Sequence, residues 1–264
     1  MSARSPALAL LGLLLLGACG LPPNTAMGDW SRSASIAADR PSLAAPPHAA
    51  AIRAMQEALG TYFYALGVLW DNADLTFREP LFAPLAAPAA AFDPVAGRAV
   101  QELAAQLRLA STDRPLQYLP RDNAGPRPLP EDWRLVNLIA ASDVPVQTLL
   151  GALARAVTAE APPPAPMAAA PAADPALRRL QLDRQGDAEA ARAIRLAARQ
   201  DYARLLPEIG AGHAALKARG RQITQREVER QVFLADDRLR RGIASLPREA
   251  PLPRPDALAA VLPP

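Results

Sequence analysis

Chemistry-bearing side chains are scarce in this 264-residue chain. It has one cysteine, Cys19, so no disulfide can form within it and no cysteine pair offers a zinc site. It has two histidines, His48 and His213, and no H-E-x-x-H motif. Lys217 is the single lysine among 29 basic residues, and the charges of both signs are interspersed. No block of like charge resembles a nucleic-acid-binding arm, and no nucleic-acid partner is expected. Aromatic residues make up 5% of the chain. No G-x-S-x-G elbow, P-loop or G-x-G-x-x-G follows a strand pattern, because no convincing strand pattern occurs. Beyond the first 19 residues no run of about 20 apolar residues is evident, the length a hydrocarbon core requires. No metal or cofactor is expected, and catalysis is disfavoured.

What is present begins at the N-terminus. Arg4 precedes an apolar run from Ala7 to Leu16, followed by Leu16-Gly17-Ala18-Cys19. A basic start, an apolar stretch of about 7–15 residues and small residues at a cleavage point make a secretory signal. This segment resembles the signal peptide and lipobox of bacterial lipoprotein precursors. The resemblance covers residues 1–19 only. It implies cleavage after Ala18, lipidation of Cys19, and membrane anchoring through acyl chains, two or more of which hold stably. Gly20 in place of aspartate after the cysteine implies the outer membrane, facing the periplasm, as the address within the bacterial envelope.

Residues 19–47 are rich in Pro, Ser, Ala and Gly and read as a lipidated flexible tether, with Trp30 its only aromatic residue. Residues 48–160 read as an N-terminal helical part. Ala51, Met55, Leu59, Tyr62, Phe63, Leu66 and Leu69 recur at helical steps between His48 and Trp70. A short helix around Glu79–Ala87 requires Pro80, Pro84 and Pro88 to sit in first turns. Asp93-Pro94 marks the start of a helix to about Ala110. Residues Ser111–Pro130 read as a loop, followed by a helix to about Ala141. Asp143 reads as the cap of another helix, Val144 to about Glu160.

Residues 161–175 form an Ala/Pro linker. Residues 176–247 read as a C-terminal hairpin on the same bundle. A helical pattern from about Asp187 to Arg219, with Ile194, Ala198, Tyr202, Leu205, Ile209 and Leu216 inward, is interrupted by Pro207. Thr224-Gln225-Arg226-Glu227 matches a capping box. Val228, Val232, Ala235, Leu239, Gly242 and Leu246 form a heptad-like seam beyond it, with Asp236–Arg240 and Asp237–Arg241 on the wet face. Residues 248–264 are a proline-rich tail. The fold class is all-α, a helical bundle with an antiparallel C-terminal hairpin.

Four residues stand out as ligand or partner candidates. Trp70, Asp71 and Asp74 form a polar-aromatic cluster at a helix end, and His213 lies beside Gly212 near the Pro207 break. Three functions are compatible with this chain. The first, adopted here, is a lipid-anchored module that binds another envelope protein. The second is a carrier or sensor of a lipid or cell-wall fragment, which needs an apolar pocket with a few convergent polar groups. The third is a hydrolase in which Asp71 and Asp74 face one cleft.

Overall fold

Helix α2 (Ala49–Trp70) is apolar around most of its circumference and forms the axis of the molecule. Ile52, Met55, Leu59, Tyr62, Phe63 and Leu66 are fully buried, as expected for a helix surrounded by others. The computed structural model describes residues 25–44, 47–71, 75–111, 133–159, 175–222 and 225–246, and these are helical with no strand among them. The protein is an all-α bundle with one continuous apolar core that runs from Ala26 to Leu246.

The stretch expected to be a tether contains a core helix, α1 (Ala26–Ala38). Met27, Trp30, Ser31, Ala34, Ala37 and Ala38 are buried against α2 and the C-terminal hairpin. Its apolar face consists largely of alanine and serine, so it carries little hydrophobic signal. The small side chains let neighbouring helices come close. Trp30 is fully enclosed and meets the Phe63 ring edge-on at 5.6 Å.

After α2 come a short turn, α3 (Glu79–Phe82), a 3-10 turn (Ala83–Leu85) and α4 (Ala86–Phe92). Pro80, Pro84 and Pro88 fall in the opening turns of successive elements, where a missing N–H costs nothing. Helix α5 (Pro94–Ala110) starts as the sequence indicates, with Asp93 accepting a 2.8 Å hydrogen bond from the Val95 N–H.

The expected break at Asp143 does not occur. Trp133–Thr158 is one helix, α6, with Pro145 inside it. The Asp143 carboxylate faces the next helix instead of capping its own. By length and composition, residues Arg134–Thr158 are also apolar enough to cross a membrane, contrary to the expectation that no such stretch exists. Here half of that window lies inside the bundle, against α2, α5 and the following helix.

Helix α7 (Pro175–Arg219) is 45 residues long and passes through Pro207 undivided. It begins twelve residues before the expected start. Ala198, Tyr202, Leu205, Ile209 and Leu216 are buried, whereas Ile194, expected inside, is 67% exposed. Helix α8 (Arg226–Ser245) returns antiparallel to it: Leu205 abuts Gly242, Glu208 pairs with Arg238, and Leu216 and Val228 line the same cleft. Val228, Val232, Ala235, Leu239 and Leu246 are buried along the seam. Thr224 of the expected capping box lies outside the described residues, and the Glu227 carboxylate accepts from Gln231 within the helix. Asp236 is not on a wet face. It is fully buried, accepts a 2.5 Å hydrogen bond from Ser33 of α1 and pairs with Arg240. Asp237 does pair with Arg241 at the surface.

Cys19, the 111–130 loop apart from Ser111, the 161–174 linker and the tail from Pro247 lie outside the described residues.

Candidate functional site

Three helices bring their polar groups to one point in the core. Tyr62 comes from the middle of α2, Asp143 from α6 and His213 from α7. His213 Nε2 is 2.8 Å from the Tyr62 hydroxyl, and its Nδ1 is 3.0 Å from Asp143 Oδ1. The tautomer that satisfies every group has Nδ1–H donating to the carboxylate and the phenol donating to Nε2. His213 and Tyr62 are fully buried. The imidazole also lies 5.7 Å from the Tyr62 ring and 6.3 Å from the Phe63 ring.

Asp143 is the hub. Lys217, one helical turn after His213, donates to Oδ2 at 2.8 Å, so both residues reach the carboxylate from the same face of α7. Gln147, one turn after Asp143, donates to its Oδ1 at 3.3 Å and to the Gly210 carbonyl at 2.8 Å. A Cβ on Gly210 would lie 2.6 Å from Gln147 Oε1, so the bridge requires glycine or a shifted glutamine. Ser142 is buried beside the phenol, and its hydroxyl makes no well-directed hydrogen bond.

Burial sets the charge states. It pushes the His213 imidazole below its ordinary 6.5; the bond and charge of Asp143 oppose this, and Lys217 reinforces it. Burial also pushes the Tyr62 phenol far above its ordinary value, with Ser142 opposing and Asp143 adding to the shift. Burial alone would raise Asp143, but hydrogen bonds from Lys217, His213 and Gln147, with the charge of His213, bring it below 3.8. The resting state is therefore carboxylate, neutral imidazole and neutral phenol.

The order carboxylate–imidazole–hydroxyl matches that of a nucleophile-activating triad. The chemistry does not follow. The hydroxyl is enclosed, its proton is held more tightly than in water, and no substrate can reach it. This chain of bonds holds α2, α6 and α7 in register.

The other sequence candidates lie elsewhere. Trp70 is buried at the end of α2, where its indole packs against Gly28 of α1. Asp71 follows it with a 52% exposed side chain, 3.3 Å from Arg32, which also binds Asp29 at 2.8 Å. Asp74 lies outside the described residues. Trp70 and Asp71 are thus neighbours, while His213 meets α2 at Tyr62, about 13 Å earlier along the helix axis. Sequence reasoning missed Asp143 and Tyr62 as partners of His213. The i,i+4 spacing of His213 and the sole lysine was the one available signal.

A second feature is a narrow cleft between α1, α7 and α8, partly open to solvent. Trp30 and Gly212 form its inner end, Leu216, Val228, Val232 and Ala235 its walls, and Arg219 and Gln231 its polar edge. The described residues contain no cluster of three His, Cys, Asp or Glu side chains able to hold a metal. Comparison with protein-family models, curated proteins and solved structures finds no match to this chain.

Proposed function

We propose that this protein is a lipid-anchored helical module of a bacterial envelope that works by docking another envelope protein along the first half of α7. One observation carries the reading. About 34 Å of helix axis precedes Ala198, the first residue of α7 that is buried among those described. No described side chain from 186 to 197 is buried. A helix without a buried face gains little from its own fold and is suited to gain it from a partner.

The arm also indicates what that partner offers. Ile194 is exposed, and among the described residues no carboxylate lies within ion-pair distance of Arg192, Arg195 or Arg199. Burial and the like charge of Arg195, one turn away, lower the pKa of Arg199. An apolar helix face flanked by acidic residues would cover Ile194 and relieve that repulsion. The lipobox resemblance at Cys19 supports the envelope address. If Cys19 carries the lipid, only six residues separate it from Ala26, so the anchor and the first core helix lie within roughly 25 Å of each other.

The test uses a photo-crosslinking residue at position 194 in intact cells, with the exposed position 109 on α5 as control. A discrete adduct from 194 that is absent from 109 and lost with Arg195→Glu is expected. No reproducible adduct from 194, or equal adducts from both positions, overturns the docking role. Palmitate labelling lost in Cys19→Ser tests the anchor separately, and an unlabelled wild-type chain overturns it.

A further inference from the structure

The arginines of α8 divide into two groups. Arg238, Arg240 and Arg241, in its second half, each meet a carboxylate, from Glu208, Asp236 and Asp237. Arg226 and Arg230, in its first half, are exposed and form no ion pair among the described residues. Arg219, the last residue of α7, is exposed and unpaired in the same sense. Arg221 is exposed in the turn Gly220–Gln222 between the two helices. The sequence from Ile209 to Arg226 holds no acidic residue. Glu227 and Glu229 on the first turn of α8 offset part of this charge, and Asp29 and Asp71 share Arg32 on the α1–α2 side. Asp143 takes up Lys217. The α7–α8 side of this end keeps a positive balance.

That end is also where α1 begins. Helix α7 runs antiparallel to α1, because Tyr202 donates to the Ala38 carbonyl while Gly212 abuts Trp30. Helix α8 runs parallel to α1, with Ser33 bonded to Asp236 and Trp30 beside Val228. At a rise of about 1.5 Å per residue, Arg219 lies about 10 Å past Gly212, and Ala26 about 6 Å past Trp30 in the same direction. Arg226 lies about 15 Å from Asp236, and Ala26 about 10 Å from Ser33. On either count the two arginines stand within about 5 Å of the level of Ala26 along the bundle axis.

We infer that this end of the bundle sits on an anionic phospholipid surface, with Arg219 and Arg226 at the headgroup phosphates and Arg230 one turn behind. The choice of a bilayer as occupant rests on the lipid anchor proposed at Cys19, whose reach to Ala26 is short; the charge pattern is independent of it. A basic residue beside an anionic bilayer strengthens attachment about fivefold, over a Debye length of about 10 Å at 0.1 M salt. Acyl chains would hold the protein at the membrane, and the arginines would set which way it points. With Arg219 at the surface, Ala198 stands about 31 Å above it along α7, and the exposed arm projects farther into the aqueous space.

The experiment measures co-flotation of the chain from residue 19 onward, which holds every described residue, with Cys19→Ser so that no acyl chain contributes. Vesicles of phosphatidylcholine alone are compared with vesicles of equal parts phosphatidylcholine and phosphatidylglycerol. Binding to the anionic vesicles is expected, roughly tenfold or more above phosphatidylcholine alone and reduced by added salt. Arg219→Gln combined with Arg226→Gln should weaken it about 25-fold. Arg238→Gln combined with Arg241→Gln removes the same charge at least about 18 Å farther along α8, beyond a Debye length, and should stay within about twofold of wild type. Circular dichroism should be the same for all three proteins. An absence of binding to the anionic vesicles leaves an acidic protein face as the occupant and overturns the inference. Equal binding to both vesicles, or equal losses in the two double variants, overturns it as well. Palmitate labelling of Cys19 decides the anchor separately and does not enter this measurement.

Discussion

At the scale of single residues, His213 is the most consequential position. Its imidazole is neutral in the folded protein because burial lowers its pKa below 6.5. The unfolded chain accepts a proton near that value, while the native state refuses it until a lower pH. Stability therefore rises with pH where the unfolded state binds more protons. The His213 contribution is complete above about 6.5 and is lost as pH falls toward the lowered native value. Asp143 adds a second loss below 3.8, as its carboxylate is protonated away from Lys217 and His213. Urea denaturation at pH 7.5 and pH 5.5 should show a lower midpoint at the acidic pH. In His213→Gln that difference should shrink, at an overall cost of about 2–3 kcal/mol for the partners left unsatisfied. An equal pH dependence in both proteins would mean that His213 titrates normally.

Two glycines make a sharper residue-level contrast. A Cβ at Gly212 would lie 2.6 Å from Nε1 of the enclosed Trp30 ring, which cannot swing away. A Cβ at Gly242 would meet Cδ1 of Leu205, a terminal methyl that a rotamer change can move. Alanine gains about 1 kcal/mol of helix propensity at either site, and overpacking costs about 1–3 kcal/mol. Gly212→Ala should therefore destabilise by about 1–2 kcal/mol, whereas Gly242→Ala should stay within about 0.5 kcal/mol of wild type. Thermal melts of the two variants decide this.

At the scale of elements, the sequence was most readable where helices carry large apolar residues or strong start signals. Leu59, Leu66 and Leu69 mark α2, Asp93-Pro94 marks α5, and Val228 with Val232 marks α8. It was least readable where packing uses small residues or overrides local chemistry. Helix α1 buries alanine and serine, whose periodicity looks like linker composition. Asp143 beside Pro145 has the local form of a helix start, yet tertiary bonds from Lys217 and His213 hold the carboxylate elsewhere and α6 runs on. For the same reason His213 was visible as a candidate while its partners were not. Their meeting depends on how three helices cross. The status of α1 as core rather than tether can be checked directly. Ala34→Asp places an unpaired carboxylate at a fully buried site and should cost more than about 3 kcal/mol. Ile36→Asp, on the 56% exposed side of the same helix, should change stability by less than about 0.5 kcal/mol. Equal denaturation midpoints for the two variants would return α1 to the role of a tether.

At the scale of the whole molecule, α7 joins two regimes of stability. From Ala198 onward it is clamped by α6 on one side and α8 on the other, with Tyr202 donating to the Ala38 carbonyl at 2.6 Å and tying it to α1. Before Ala198 none of the described side chains, from 186 to 197, is buried. Isolated helices shorter than about 12–15 residues are marginal in water, and the arm contains Gly186 and a like-charged Arg195–Arg199 step. Local opening should therefore be cheap in the arm and should approach the global unfolding cost beyond it. Amide hydrogen exchange is expected to show a boundary near Ala198, with backbone amides at 186–197 exchanging orders of magnitude faster than those at 202–216. Gly186→Ala should slow exchange in the arm alone, because it raises helix propensity where nothing else contributes. A bound partner should move the boundary toward Pro175. Uniform protection along α7 in the isolated protein would mean that the arm is already covered within the fold, and the surface proposed for docking would not be free.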